Sequence, residues 1–331
     1  MAGPVRASEE GLIARYFAPL AGPGADGLRD DAATLTPSPG HDLVLTADAI
    51  VARIHFFPDD PPASIARKAL GVNLSDIAAK GAVPRGFLLT LALPDDWTED
   101  WLAGFSAGLG AAAAEADCPL LGGDTVRSGG PALIGVTLIG EVPTGAIVRR
   151  QTARIGDRIC VTGTIGDAAL GLRLRLEPQA SWAAGLDPGL RAVLADRYLH
   201  PRPRLAAAAA VRRHATAAMD VSDGLAGDLA KMLGEGRSAR IDVAAVPLSE
   251  AARRACAADP GLVDVALTGG DDYEILCTVA PGGLGAFRAE AESAGVPLTA
   301  IGTVTAGEDP PRFETADGAA RAFAAGSFSH F

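Results

Sequence analysis

Short apolar segments that suit β-strands alternate with longer segments of helical periodicity along the whole chain. In the first half, strand-like segments at 42–46, 86–93, 118–121 and 132–142 alternate with helical ones at 63–80 and 98–117. The second half continues with strand-like segments at 158–162, 217–221, 240–244, 273–279 and 298–304. This alternation predicts an α/β (α+β) fold, with layers of helices and strands in each half.

A chain of 331 residues is longer than one hydrophobic core usually serves, so we expect two domains. The apolar pattern lapses around 149–157, which predicts domains at 1–150 and 151–331. Short helices are also expected, beginning at Ser8 in the first half and at Ser222 in the second, because serine is a common N-cap.

The formal charge of −11 at pH 7 argues against a nucleic-acid or anionic-membrane partner, since both require a basic surface. No apolar run is long enough to span a bilayer, and the N-terminal MAGPVRASEE lacks the apolar core of a signal peptide. The four cysteines are scattered singly, which favours buried, reduced thiols. These features together predict a cytoplasmic protein.

The segment at 68–84, KALGVNLSDIAAKGAVP, carries one acid, Asp76, among small and apolar residues. Taken singly, Asp76 would most simply cap a helix start. Acids in similar settings, at the ends of apolar runs or beside glycines, are Asp30, Asp31, Asp48, Asp124, Asp220 and Asp223. Folding could bring several of them together.

The standard phosphate-binding and nucleophile motifs are missing from the sequence. There is no GxxxxGK[ST], no protein-kinase signature, no GxGxxG after a strand and no GxSxG, and the histidines are dispersed. What remains is a set of carboxylates, and Mg²⁺ is typically held by one or two carboxylates together with water and substrate phosphates. Glycines before Asp124 and Asp271 would let the main chain approach a ligand, although each pair taken singly is most simply a turn.

The ordered strings RDDAA, LTADAIVARIHF, ARKALGVNLSDIAAKGAVP, GGDTVRS, VTGTIGDAALGL, MDVSDGLAGDL and LTGGDDYEIL resemble the thiamine-monophosphate kinase family. That family lies in a superfamily with aminoimidazole ribonucleotide synthetase, selenophosphate synthetase and a hydrogenase-maturation protein. The resemblance covers essentially the whole chain. It implies an N-terminal mixed-sheet domain for ATP/Mg binding and dimerisation, and a C-terminal α/β domain that completes the active site.

Carried over by position, the resemblance implies a set of Mg²⁺ ligands, one site for ATP and one site for thiamine monophosphate. It implies no catalytic side chain. The metal ligands would be Asp31, Thr46, Ala47, Asp48, Asp76, Asp124, Asp220 and Asp223. ATP would contact Gly123, Asp124, Arg150 and Ser222, and thiamine monophosphate would contact His55, Asp271 and Phe328. The sequence departs from the family at Arg29, where glycine is usual, at Ala47, where Thr or Ser is usual, and at Asp271, where Glu is usual.

The resemblance further implies ATP-dependent phosphorylation of thiamine monophosphate to thiamine diphosphate by one direct in-line transfer, in a homodimer. A phosphate oxygen is already an ionised nucleophile, so the task reduces to aligning two anions. One alternative is another ATP-using enzyme of the superfamily. Residues 1–30 hold neither Cys nor Lys, unlike selenophosphate synthetases, and the chain ends in Phe331 rather than Cys. A non-catalytic nucleotide-binding relative is the other alternative.

Overall fold

The computed structural model describes residues 8–323, and the chain divides into two compact units. Unit 1 comprises residues up to 74 together with 83–145, and unit 2 comprises 75–82 together with the chain from 146 onward. The segment 75–82, which the sequence analysis placed in the first domain, is therefore part of unit 2.

Unit 1 begins with helix α1, Glu9–Leu12, which continues as a π-helical turn, Ile13–Phe17, and a 3₁₀ turn, Ala18–Leu20. The Ser8 hydroxyl accepts a hydrogen bond from the Gly11 amide at 3.2 Å, so the predicted N-cap is confirmed. The remaining elements are β1 (His41–Val51), α2 (Pro62–Ala79), β2 (Val83–Leu93), α3 (Glu99–Glu115), β3 (Leu120–Arg127) and β4 (Leu133–Pro143). The last turn of α2 belongs to unit 2.

The strands of unit 1 form a four-stranded mixed sheet in the order β1-β4-β2-β3. β4 is antiparallel to β1 and β2, whereas β2 and β3 are parallel, which confirms the predicted mixed sheet. One face carries fully buried side chains, including Phe87, Leu91 and Leu138. The other face, which we call the open face, presents Leu43, Leu45, Leu88 and Val126 at 39–65% exposure.

Two strands of unit 1 are longer than the sequence predicted. Asp48 lies inside β1 and not beyond its end, because pairing with β4 continues through Val51. The expected turn at 122–125 is instead part of β3, since Gly122 to Thr125 pair with β2 throughout. A polar or glycine residue interrupts an apolar pattern, but it does not prevent the backbone from pairing.

Unit 2 is an α/β unit around a seven-stranded sheet in the order β11-β10-β7-β9-β5-β8-β6. Its strands are β5 (Arg158–Thr162), β6 (Ala215–Asp220), β7 (Arg237–Asp242), β8 (Ile275–Val279), β9 (Leu298–Ala306), β10 (Arg312–Glu314) and β11 (Ala320–Arg321). Its helices are α4 (Asp167–Leu176), α5 (Ser181–Ala184), α6 (Pro188–Leu199), α7 (Ala208–His214), α8 (Leu225–Leu233), α9 (Glu250–Ala258), α10 (Leu262–Thr268) and α11 (Leu284–Ser293). The predicted alternation is confirmed, although α5, α10, β10 and β11 were not foreseen.

The prediction that Ser222 caps a helix is wrong. Helix α8 begins at Leu225 after Gly224, whose φ of 110° suits a glycine. The Ser222 and Asp223 amides instead donate to the Asp228 carboxylate at 3.0 and 2.8 Å. A residue inside the helix thus satisfies the amides before it, a pattern that local cap rules do not anticipate.

The four cysteines are buried free thiols, as predicted. Burial raises the pKa of Cys118 to about 12 and that of Cys160 to about 11, so both stay protonated at neutral pH. Within residues 8–323, no helix is both long enough and apolar enough to cross a membrane.

Candidate active site

A cavity of about 700 Å³ in unit 1 brings together residues from the N-terminal segment and from the sheet. Asp31 lies on its N-terminal side, and Gly123 and Asp124 of β3 lie on its sheet side. The polar residues Asp30, Thr34, Thr90, Thr125 and Thr137 also line it. A volume of this size suits a small-molecule ligand. Three of the residues predicted for metal or ATP therefore share one cavity.

Asp48 lies far from Asp124 in the same sheet. Asp48 aligns with Val136 of β4, which aligns with Leu89 of β2. Leu89 aligns with Gly123 of β3, so Asp124 is one residue further along. The backbones of the two acids are thus separated by about 14 Å, three strand spacings. Because successive side chains of a strand point to opposite faces, the Asp48 and Asp124 carboxylates project from opposite faces.

The backbone at Asp48 is fixed by a buried asparagine of α2. The Asp48 amide donates to Asn73 Oδ1 at 2.9 Å, and Asn73 Nδ2 donates to the Ala69 carbonyl at 3.1 Å. Asn73 is fully buried. Thr46 shares the face of Asp48 because it lies two residues away on β1, whereas the Ala47 side chain points to the other face. Since Ala47 has no side-chain oxygen, its carbonyl is its one possible metal ligand.

His55 is held in the loop between β1 and α2. The Val51 amide donates to His55 Nδ1 at 3.0 Å, which makes Nδ1 an acceptor and leaves the ring proton on Nε2. The buried Lys68 ammonium donates to the His55 carbonyl at 2.9 Å. Both the ring and the backbone of His55 are therefore oriented by neighbouring groups of unit 1.

In unit 2, Asp76, Asp220 and Arg150 lie around the ammonium group of Lys80. Burial lowers the pKa of Lys80, the positive charge of Arg150 lowers it further, and the charges of Asp76 and Asp220 raise it. Lys80 Nζ donates to the Ala218 carbonyl at 2.8 Å. Asp76 lies in the last turn of α2, so its interpretation as a helix N-cap is wrong.

A second lysine lies beside Asp223. Lys231 forms ion pairs with Asp223 and with Asp228, the latter at 3.0 Å. Asp228 is fully buried, and burial raises the pKa of its carboxyl group. Its second oxygen accepts from the amides of 222 and 223, so Asp228 fixes the backbone at Asp223 while Lys231 holds its side chain.

Asp271 lies directly against Ser222. The Asp271 amide donates to the Ser222 carbonyl at 2.9 Å, and the Tyr273 amide donates to the Val221 carbonyl at 2.8 Å. A Cβ at Gly270 would overlap the Ser222 carbonyl, which explains the glycine there. The Tyr273 hydroxyl donates to Asp271 Oδ1 at 3.4 Å.

Nine of the predicted residues form three groups within the units: Asp31, Gly123 and Asp124; Asp76, Arg150 and Asp220; and Ser222, Asp223 and Asp271. Thr46, Ala47 and Asp48 lie on β1, and His55 lies in the loop after it. In the part of the chain from 8 to 323, no three His, Cys, Asp or Glu residues are placed to hold one metal ion. The oxygen donors fit Mg²⁺ bound by one or two carboxylates, with phosphate or water completing the shell. Phe328 lies outside the described residues.

Sequence reasoning did not assign a role to Asn73, Lys80 or Lys231. Each is the immediate partner of a predicted site acid or of its backbone. The helical spacing of Lys231 from Asp228 was the one signal in the sequence that could have indicated the Lys231 contact, because residues three apart are neighbours on a helix.

Two family models match the chain: AIR synthase related protein, N-terminal domain, at residues 29–142, and AIR synthase related protein, C-terminal domain, at 154–311. A thiamine-monophosphate kinase of Caulobacter vibrioides is 41% identical over 302 residues, covering 89% of this chain and 84% of the relative.

Among solved structures, a thiamine-monophosphate kinase from Stenotrophomonas maltophilia K279a has a TM-score of 0.80 and 39% identity, covering 89% of this chain and 91% of that chain. Another, AaThiL complexed with AMPPCP and TMP, has a TM-score of 0.76 and 30% identity, covering 91% of each chain.

Proposed function

Since this chain belongs to the thiamine-monophosphate kinase family, we propose that it transfers the γ-phosphate of ATP to thiamine monophosphate, giving thiamine diphosphate and ADP. The observation that carries this proposal is the likeness, over 91% of each chain, to a relative complexed with AMPPCP and TMP. The grouping of the site acids within each unit is consistent with it.

We assign the nucleotide and its phosphates to Gly123, Asp124, Arg150 and Ser222. Gly123 and Asp124 line a cavity of suitable size in unit 1, and Gly123 offers backbone without a Cβ. In unit 2, Arg150 is exposed beside Lys80, where its guanidinium is available to a polyphosphate oxygen. Ser222 presents its hydroxyl next to Asp223, and its backbone is fixed by Asp228.

Mg²⁺ is the cofactor that these acids would hold, with Asp31, Thr46, the Ala47 carbonyl, Asp48, Asp76, Asp124, Asp220 and Asp223 as the proposed ligands. When bound, it would neutralise and orient the phosphates of the two substrates. The protein's own contribution is to hold the carboxylates in place, through Asn73 at Asp48 and through Lys231 and Asp228 at Asp223.

For thiamine monophosphate, we assign His55, Asp271 and Phe328. The His55 Nε2–H can donate to a phosphate oxygen, because Nδ1 already accepts from Val51. Asp271 is oriented against Ser222 and can bind a positively charged or N–H-bearing part of the substrate. The acceptor phosphate is itself ionised at neutral pH, so no side chain needs to act as general base and the transfer is direct.

We further propose that the protein is a homodimer. The exposed leucines and valine of the open face form an apolar surface that a second copy could cover. A second copy there would lie over the face of Asp124 and not over that of Asp48.

Light scattering of the purified protein tests the dimer. We expect the mass of two chains, and the mass of one chain would exclude the proposal.

A cytoplasmic location is also proposed. The four buried free thiols are typical of a reducing compartment. Fractionation of the native host with detection by antibody would check it.

The reaction is tested by incubating purified protein with ATP, MgCl₂ and thiamine monophosphate, and identifying the thiamine products by chromatography. We expect thiamine diphosphate, no product from unphosphorylated thiamine, and no product without Mg²⁺. ATP consumption without thiamine diphosphate would contradict the assignment and favour another member of the superfamily.

A further inference from the structure

The segment that carries Asp271 has an unfavourable backbone conformation. Asp271 has a φ of 74° and Tyr273 a φ of 51°, so two non-glycine residues, separated by one position, are in the left-handed region. Such a conformation persists only where the surrounding contacts determine it. The residues that supply those contacts therefore decide where the Asp271 carboxylate lies.

Glu274, directly after the strained residues, is the centre of these contacts. Its side chain is fully buried and forms ion pairs with two arginines: Arg197 at 2.9 Å and Arg204, whose Nε donates at 2.6 Å and whose Nη2 makes a second contact. The Thr162 hydroxyl donates to the other carboxylate oxygen at 2.8 Å and accepts from the Ile275 amide at 2.8 Å. The bidentate Arg204 pair is the most direction-specific of these contacts.

Asp272, between the strained residues, is held independently. Its buried carboxylate accepts from the amides of Gly166 and Ala168 at 2.6 and 3.3 Å. Arg197, which pairs with Glu274, also donates to the Asp272 carbonyl at 3.2 Å. The backbone from 271 to 275 is thus attached by side chains on one side and by the carbonyls of 221 and 222 on the other.

Gly163 shows how closely this group is packed. Its φ is 55°, and a Cβ there would overlap both the Glu274 carboxylate and the Arg204 guanidinium. The ion pair therefore lies directly against the main chain and has little freedom to shift without moving the segment that carries Glu274.

We propose that Arg204, acting through Glu274, is a positioning residue that holds the Asp271 segment in its strained conformation and so places the Asp271 carboxylate for thiamine monophosphate. The inference about the substrate rests on the proposed function. The inference about the segment does not, since it depends only on contacts within unit 2.

Arg204→Lys tests the proposal, with Arg202→Lys as its matched control. Lysine keeps the charge but cannot form the bidentate pair. Arg202 lies two residues earlier and pairs with Asp196 at 2.6 Å, at 55% and 42% side-chain exposure, away from Glu274. Both variants can be measured by hydrogen exchange of the peptide covering 268–276, and by the KM values for the two substrates.

In Arg204→Lys, we expect the amides of 271 and 273 to exchange about tenfold faster, because the segment opens locally more often. The KM for thiamine monophosphate should rise about fivefold while the KM for ATP changes less than twofold. Arg202→Lys should match the wild type in all three measurements. Unchanged exchange at 271 and 273 in Arg204→Lys would overturn the proposal, as would an equal rise in both KM values.

A second pair of variants covers the case in which Arg204→Lys fails to fold. Thr162→Val removes the hydroxyl that contacts Glu274, whereas Thr278→Val removes an equally buried hydroxyl that contacts Thr216 at 2.7 Å in the same sheet. Faster exchange at 271 and 273 is expected for Thr162→Val alone, and the same exchange in both variants would contradict the proposal. If the wild type does not phosphorylate thiamine monophosphate, the proposed function fails while the exchange result still decides the role of Arg204.

Discussion

The acids of the two units differ in how their charge is balanced. In unit 2, Asp223 is paired with Lys231, and Asp76 and Asp220 lie around Lys80. In unit 1, Asp31 and Asp124 line an open cavity and, in the described part of the chain, form no ion pair. Two carboxylates that face the same cavity without a cation repel each other to the extent that they approach one another. We therefore expect Asp31 and Asp124 to depend more on a cation from solution than Asp223 does.

The largest expected effect comes from comparing Asp124→Asn with Asp223→Asn. The amide keeps the side-chain volume and removes the charge. We expect Asp124→Asn to lower kcat by about 100-fold or more, since preorganised electrostatic contacts in an active site are worth that much. Asp223→Asn should lower kcat by a smaller factor, because it also releases Lys231 to interact with phosphate.

Turnover at saturating and at limiting MgCl₂ provides the measurement, with thermal unfolding as the control for folding. Near-native activity of Asp124→Asn at limiting MgCl₂ would contradict the expected role of Asp124 in binding a cation. A larger loss of turnover in Asp223→Asn than in Asp124→Asn would show that unit 2 depends more on its acid than unit 1 does.

Replacing a closely packed glycine by alanine should destabilise both units to a similar extent. A Cβ at Gly123 of unit 1 would overlap the Leu89 carbonyl, and one at Gly270 of unit 2 would overlap the Ser222 carbonyl. Alanine at either position should lower the free energy of unfolding by about 1–3 kcal/mol, as for other overpacked sites. Gly282→Ala, with no neighbouring atom within 4 Å, is the control. Urea unfolding measures all three, and equal stability of Gly270→Ala and Gly282→Ala would contradict the geometry.

A smaller effect is expected when Lys231, the ammonium partner of Asp223, is replaced. Lys231→Met leaves Asp223 without its ammonium partner, so the acid becomes a better ligand for a divalent ion. Because Lys231 is partly exposed, the gain should be modest, up to about fivefold tighter binding. Titration with Mn²⁺ followed by electron paramagnetic resonance measures it without turnover. Weaker binding would show that Lys231 supports the ion rather than competing with it.

The smallest effect concerns the pH dependence of stability at Lys80. Its folded pKa is lowered, chiefly by burial, so the ammonium form is less favourable in the folded chain than in the unfolded chain. This penalty is present below the folded pKa and disappears as pH rises to the ordinary value of 10.5. The stability of the wild type relative to Lys80→Met should therefore increase as pH rises from neutral toward 10.5. Thermal unfolding across that range measures the difference, and a constant or falling difference would contradict the environment assigned to Lys80.

The alternation of strands and helices, and most of their positions, could be predicted from the sequence because apolar periodicity is a local property. The helices at 62–79 and 99–115 were foreseen nearly to the residue. Strand ends were less accurate, since β1 and β3 continue through polar and glycine residues for reasons of pairing with distant strands.

The acids of the candidate site could be predicted from the sequence, whereas the residues that hydrogen-bond or ion-pair with them could not. The resemblance identified Asp48 and Asp223 by their motifs, whereas Asn73 and Lys231 became evident only from contacts. The contact between Asp271 and Ser222 joins residues 49 positions apart, which no local pattern specifies. The opposite faces of Asp48 and Asp124 follow from a four-strand register that the sequence does not give.

The most direct test of the central claim, that the protein aligns two phosphates for one direct transfer, is a single-turnover experiment with ATP labelled at the γ-phosphate. Protein in excess over ATP is mixed with thiamine monophosphate and MgCl₂, quenched at successive times, and separated into protein, nucleotide and thiamine fractions. We predict that the label passes from ATP to the terminal phosphate of thiamine diphosphate, one for one with ADP, and that none is bound to protein at any time. Label on the protein, formed with ATP alone and then passed to thiamine monophosphate, would contradict direct transfer.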